Sequence, residues 1–330
     1  MIRRPANDAV KARAAVIGAT SSVGEALKKA LEGRGVAGSR VDLFGGVADG
    51  AILSEYDGEA RLVRPLDLDE IGGEDVAFVC EGGPLADRVL PLAARGGLVL
   101  DLAGAWPGAP LVHPEWLALP SRGTPGPFAV PHALAVVLAE ILRPLHAALG
   151  LRRASAWILC PASDAGAGGL EELREQTVQL LRFESPPTEV FGRQLAFNAI
   201  PSHLFPRGEG AVDGRIAAQA ARLAGLHEPR VALRRVAIPA LYGHGLSLQV
   251  ELERGAEEDV RSAFRGGDGA GFEPSSEDGT LLDAGDRRST RVLRCEPDGL
   301  GGFWLWAVAG EAMAASAEAA VAQAAAMADL

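Results

Sequence analysis

The feature that most restricts how this 330-residue chain can fold lies near its start. Residues 14–18 read AAVIG, residues 18–24 read GATSSVG, and residues 25–35 read EALKKALEGRG, with Leu27 and Leu31 four apart on one helical face. The order is strand, glycine turn, helix. In that setting the helix N-terminus offers backbone N–H groups and a positive dipole end to a pyrophosphate. Gly18, Thr20, Ser21, Ser22, Val23 and Gly24 are therefore candidate cofactor-binding residues. Gly18 permits the tight turn and Gly24 lets the helix approach the sheet, needs that a purely structural turn shares. Ser21 stands where dinucleotide folds commonly carry a middle glycine; its side chain either narrows the approach of a phosphate or hydrogen-bonds to it, and Thr20 and Ser22 can donate to the same oxygens. Residues 45–50, GGVADG, offer one acid, Asp49, and no cation for a ribose phosphate. Asp49 reads as a turn residue.

Further apolar runs follow at 40–44 (RVDLF), 76–80 (VAFVC) and 97–102 (GLVLDL), with a helix expected over 85–95. Such unalternated runs suit strands buried on both faces of a parallel sheet. The first part of the chain is thus expected to be a doubly wound α/β domain, spanning 1–129. Beyond the Gly/Pro-rich stretch 120–127 the pattern changes. A long apolar helix is predicted over 133–149, a strand over 154–160, helices over 169–182 and 213–223, and β-rich segments over 231–241 and 243–253. This reads as a second, α+β domain over 130–310 with a mixed or antiparallel sheet. Residues 262–279 are expected to be a polar surface loop, and 311–330 an Ala-rich helix behind an aromatic strand, GGFWLWAVAG.

Composition removes several function classes. The net charge of −11 repels a phosphate backbone, so nucleic acid is not expected as a partner. The 48% apolar and 23% charged content is that of a folded globular protein. Cys80, Cys160 and Cys295 make neither a disulfide framework nor a CxxC site, which fits a cytoplasmic location, and no run is long enough to cross a membrane. His113, His146, His203 and His227 lack metal-ligand spacing and read as surface or loop residues; no metal is expected. Glu171, Glu172 and Glu175 read as a solvated helix face.

Four segments together resemble the aspartate-semialdehyde dehydrogenase family: GATSSVG its GATGAVG turn, EGGPLAD its AGG loop, GLEELREQT its GMEELREQT helix, and LYGHGLSLQVEL its FYGHSEAVNVEF strand pair. They occur in the family's order and the resemblance runs nearly end to end. It implies a Rossmann-type domain completed by the helix 311–330, a dimerisation domain between, a homodimer or tetramer, and NADP or NAD as cofactor, with Gly82 added to the cofactor-binding residues. It also implies a reaction in which a cysteine thiolate attacks an acyl carbon, phosphate leaves, and hydride reduces the thioester.

At the residues that would carry this reaction the chain departs from the family. The family's NPNCSTIQMVVALKPL aligns without gaps to VPHALAVVLAEILRPL, residues 130–145, so Ala133 stands at the nucleophile's place and His132 precedes it. An alanine methyl cannot attack a carbonyl or carry an acyl group. His244 keeps the general acid/base position. Cys160 falls where the family has a substrate-orienting glutamine, which makes it the best substitute thiol, although a cysteine ending an apolar strand is commonly an inert core residue. Ala237 replaces a carboxylate-gripping arginine; Arg235 lies on the same strand face and a bulge could return it. DLAGAWP, residues 101–107, ends in Pro107 where the family has a phosphate-binding arginine, and of an ExxK pair only the cation survives, as Arg215. The pocket expected is formed by His132, His244, Arg215, Arg235 and Cys160. It resembles that of Usg-type paralogues, which also depart from the nucleophile motif. Two functions follow: a dimeric binding or regulatory paralogue without thiol catalysis, or an active NAD(P)-dependent semialdehyde dehydrogenase of amino-acid biosynthesis that uses a substitute such as Cys160.

Overall fold

The computed structural model describes residues 12–46, 52–73, 75–205, 210–227, 230–265, 270–272, 279–284, 290–310, 312–328 and 330. The described chain divides into two compact units, Met1–Val130 with Ala317–Leu330, and Pro131–Ser316.

In the first unit, strands β1 (Ala14–Ile17), β2 (Val41–Gly45), β3 (Ile52–Tyr56), β4 (Glu59–Pro65), β5 (Val76–Val79), β6 (Leu98–Asp101) and β7 (Gly126–Ala129) form one sheet ordered β3-β4-β2-β1-β5-β6-β7. All pairings are parallel except β3 with β4. Every residue of β1, β5 and β6 is buried, as their unalternated sequences require when helices cover both faces. The chain leaves β1 between β2 and β5, so the strand order reverses there and opens a crevice at the carboxyl end of β1. Helix α1 (Ser22–Gly33) buries Leu27 and Leu31 in a core that also receives Ala320, Val321 and Ala324.

Two local features differ from expectation. The segment 85–95 forms two short helices, α2 (Pro84–Asp87) and α3 (Leu90–Ala94), because Pro91 has no N–H to return to Asp87. The β3–β4 hairpin is unforeseen although its turn is written plainly: Asp57 and Gly58 take φ of 55° and 74°, the pair of left-handed conformations a two-residue hairpin needs.

The second unit is built on α4 (Ala133–Leu149), which is buried along most of its length. Pro144 inside it cannot donate to Glu140, and the freed Glu140 carbonyl instead accepts the Ala270 N–H at 3.2 Å. The sheet comprises β8 (Leu151–Cys160), β9 (Ile200–Pro201), β10 (Val231–Ala237), β11 (His244–Leu252), β12 (Gly271–Phe272), β13 (Arg291–Pro297) and β14 (Phe303–Ala309), ordered β12-β13-β14-β11-β8-β10-β9. It is mixed: β8 pairs parallel with β10 and antiparallel with β11. Helices α5 (Gly166–Leu181), α6 (Gly210–Leu223) and α7 (Glu257–Ala263) complete the layer, and α8 (Ala312–Met327) carries the chain back to the first unit. The segment expected to be a surface loop over 262–279 contains the end of α7 and all of β12; its residues 266–269 and 273–278 lie outside the described set. Among the described residues no helix is long and apolar enough to cross a membrane.

Candidate active site

The glycine turn of the first unit is shaped by close backbone approaches. Gly18 has φ of 83°, and a Cβ there would lie 2.5 Å from the Glu81 Cβ; a Cβ on Gly24 would lie 2.3 Å from the Gly18 carbonyl oxygen. Ser21 does not face an incoming phosphate with a spare hydroxyl. Its Oγ accepts the Gly24 N–H at 3.0 Å as the cap of α1 and lies 2.8 Å from the Gly18 carbonyl and 3.0 Å from that of Cys80. The N–H groups of Ser22 and Val23 are then the ones left in the first turn for an anion, with the exposed Thr20 beside them. Gly82 borders open space, where an added Cβ would meet nothing within 4 Å. These residues fit a dinucleotide pyrophosphate.

Asp49 lies outside the described residues. A cation does stand at the end of the second strand, brought there by pairing rather than by the following loop: Arg64 is the register partner of Phe44 and stacks over its ring at 5.1 Å. Its guanidinium is held by Asp42 at 2.9 Å and by Glu70.

The second unit gathers most of the polar residues singled out in the sequence into one cluster. His132 caps α4: its Nδ1 accepts the Leu134 N–H at 3.1 Å, and its backbone N–H donates to Gln219 Oε1 at 2.9 Å. Burial, together with the nearby cations Arg235 and Arg215, pushes the imidazole down to about 3, so His132 is neutral at physiological pH. Ala133 opens the helix with its methyl buried. His244, at the start of β11, is buried; its Nε2 lies 2.9 Å from Asp164 Oδ1, and its Nδ1 lies 3.4 Å from the Gly310 carbonyl oxygen. Burial opposes charge on this ring, but the Asp164 carboxylate outweighs it and holds His244 above its ordinary range. For Asp164 too burial opposes charge, and the His244 imidazolium prevails, holding the carboxyl below its ordinary range. Cys160, at the end of β8, points at the same carboxylate; burial first, then Asp164, pushes its thiol well up.

Arg235 does not take the place of the lost arginine. The β8–β10 register runs without a bulge, setting Arg235 opposite Ile158 and Ala237 opposite Cys160. Arg235 Nε is bound to Asp213 Oδ1 at 2.7 Å, and Asp213 also accepts Ser202 Oγ at 2.5 Å, both in buried surroundings. Arg215, on α6, is half-buried and close enough to His132 to act on its charge.

Asp164, Asp213 and Gln219 join this cluster from outside the motifs quoted above. Asp164 lies four residues after Cys160 in the segment leading to GLEELREQT, but that spacing does not fix the direction of the short turn 162–165 that brings its carboxylate back to Cys160. Two other expectations fail. Glu172 is buried and accepts the N–H groups of Val190 and Phe191, tying the loop after α5 to the helix. His113 is buried and stacked on Trp116 at 4.5 Å between ring centroids.

Residues 13–120 match the semialdehyde dehydrogenase NAD binding domain and residues 142–306 the semialdehyde dehydrogenase dimerisation domain. The chain belongs to the semialdehyde dehydrogenase family. Among curated relatives of this family member, aspartate-semialdehyde dehydrogenase of Aquifex aeolicus is 28% identical over 270 residues, covering 78% of this chain and 79% of that one. A USG-1 protein homolog of Pseudomonas aeruginosa is 28% identical over 246 residues, covering 72% and 73%. A solved structure described as a probable aspartate-semialdehyde dehydrogenase from Pseudomonas aeruginosa superposes with a TM-score of 0.81 at 26% identity, covering 96% of this chain and 98% of that one.

Proposed function

We propose that this semialdehyde dehydrogenase family member binds a nicotinamide nucleotide and a small ligand but does not run the thiol-dependent phosphorylating oxidation associated with the family. The observation that carries the reading is the buried methyl of Ala133 at the N-terminus of α4. A thiol there would be favoured as thiolate by the helix dipole; a methyl has no lone pair to offer. The alternative nucleophile, Cys160, is disfavoured by its surroundings. Its neighbour is the Asp164 carboxylate, which opposes a thiolate, and the His244 nitrogen that could take its proton is turned to Asp164 instead. With Pro107 and Ala237 at two positions where the resemblance calls for cations, a doubly anionic acyl phosphate loses two charge-assisted contacts, so the ligand is less charged than aspartyl phosphate.

NAD and NADP both remain compatible with the cradle: Arg64, the cation at the end of β2, already serves Asp42 and Glu70. The protein is proposed to act as a homodimer, a tetramer being a further pairing of it. Support comes from the alternation on β8, where Ala154, Ala156, Ile158 and Cys160 are buried while Trp157 is 54% exposed, and from Trp304 on β14, 43% exposed. A sheet face bearing two such tryptophans suits a second copy.

The test uses purified protein with aspartate semialdehyde, phosphate and NADP or NAD, alongside calorimetry with each nucleotide and sedimentation. The expected result is nucleotide binding to a dimer without turnover, and no turnover from Ala133→Cys, whose new thiol nonetheless alkylates faster than Cys160. Turnover by the unaltered protein that Cys160→Ser abolishes would overturn the proposal in favour of an active dehydrogenase with a substitute thiol.

A further inference from the structure

Cys160, Asp164 and His244 come from three different places in the chain's local structure: the last residue of β8, the short helical turn after it, and the first residue of β11. Their Sγ, carboxylate oxygen and ring nitrogen all lie within 4.8 Å of one another. Thiolate, carboxylate and imidazole together are a donor set for a borderline-soft divalent metal rather than for magnesium or calcium. Metal–ligand distances of about 2.0 to 2.3 Å in a tetrahedron place the donors roughly 3.3 to 3.6 Å apart. The His244 Nε2 to Asp164 Oδ1 separation of 2.9 Å therefore needs to open by only a few tenths of an ångström.

A second observation points the same way. Metal-bound histidines ordinarily donate their other ring N–H to a carboxylate or a backbone carbonyl, which fixes the tautomer. His244 turns Nε2 into the cluster and Nδ1 toward the Gly310 carbonyl oxygen at 3.4 Å, so that once the proton Nε2 shares with Asp164 is displaced, the Nδ1–H keeps that carbonyl as its partner. The Asp164 side chain is 32% exposed while that of His244 is 5% exposed, so the cluster has one open side with two deeply held donors behind it. Arg235, the cation nearest this group on β10, is already compensated by Asp213.

We propose that Cys160, Asp164 and His244 form a binding site for one divalent transition metal ion, zinc by its donor set. Binding displaces the Cys160 proton and the proton held between His244 and Asp164. The thiolate and carboxylate neutralise the ion's two positive charges, and three protein donors leave the fourth tetrahedral position to water. The inference is independent of whether nucleotide binds, since its readout is the metal's own spectrum.

The experiment titrates the purified full chain, stripped with chelator, with Co(II) as a spectroscopic stand-in for zinc. The expected result is one equivalent bound with a thiolate-to-cobalt charge-transfer band and the intense d–d bands of a tetrahedral ion, both bleached by added zinc. Cys160→Ser removes the charge-transfer band, whereas Cys80→Ser and Cys295→Ser keep it. Asp164→Asn keeps the band and weakens binding at least tenfold, which guards against a Cys160 variant that fails to fold. Absence of a stoichiometric charge-transfer band in the unaltered protein, or its persistence in a folded Cys160→Ser, would overturn the proposal.

Discussion

The two units build their candidate sites by different means. In the first, the surfaces that would meet a nucleotide are backbone: the turn at Gly18, the N–H groups of Ser22 and Val23, and the open flank of Gly82. In the second, the site is a cluster of side chains that neutralise one another, Asp213 with Arg235 and Asp164 with His244. A backbone cradle tolerates drift in side chains as long as the glycines remain. A side-chain pocket can be rewritten one residue at a time, provided each new charge acquires a partner. Both units match models of the family, and the residues that differ from the motifs implied by the resemblance, Pro107 in the first and Ala133 and Ala237 in the second, are all side-chain positions rather than glycines of the turn.

The sharpest way to break this contrast is to leave one charge of the second unit alone. Asp213→Ala strips the buried Arg235 of its carboxylate and should cost about 3 to 5 kcal/mol in urea unfolding, while Arg235→Met in the same background should recover part of it. Recovery of nothing would mean that Asp213 matters chiefly for its bond to Ser202.

A comparable probe of the backbone cradle is Gly24→Ala. Its Cβ would fall 2.3 Å from the Gly18 carbonyl oxygen, so helix and turn must separate, at roughly 3 kcal/mol. Nucleotide affinity by calorimetry should fall tenfold or more. An unchanged affinity would remove the turn from the binding site.

Asp164→Asn addresses the second unit's other pair, with an expected cost of about 2 kcal/mol near pH 5 to 6. The pH dependence has a defined sign. The raised His244 contributes stability in full below its ordinary value of 6.5, lost as pH rises through the folded value. The lowered Asp164 contributes in full above its ordinary value of 3.8, lost as pH falls. Wild type and variant should therefore differ most between these two values and converge in alkali. His132 acts oppositely to His244: neutral in the fold down to about 3, it makes the protein less stable as pH falls below 6.5. Ring NMR shifts of the two histidines check the assignment, His244 titrating late and His132 remaining neutral at pH 5.

The smallest expected effect belongs to Ser21→Ala. Loss of the α1 cap should cost about 1 kcal/mol in denaturant, and nucleotide affinity should move little because the hydroxyl is already turned to Gly24 and Gly18. A large loss of affinity would show the hydroxyl reaching a phosphate instead.

Legibility followed the range of the forces involved. The strands β1, β5 and β6 could be read as short apolar runs because full burial leaves no polar alternation. The β3–β4 hairpin leaves no such mark, because its outer strand is mostly exposed and lacks an apolar run; its local signal is the Asp57–Gly58 turn. His132, Cys160 and His244 could be singled out from their places in motifs. The partners that decide their charge could not, since Asp164 and Asp213 lie outside those motifs and meet them only through strand pairing and helix packing.

Local and covalent facts were legible in the chain alone: the fully buried strands, the glycine turn and the methyl at position 133. Only the tertiary structure decided that Ser21 caps a helix, that Arg235 serves Asp213, and that Cys160 and His244 share one carboxylate. Charge state and hydrogen-bond partnership depend on which groups are brought within a few ångströms in a medium of low dielectric, and that proximity is a property of the packed chain.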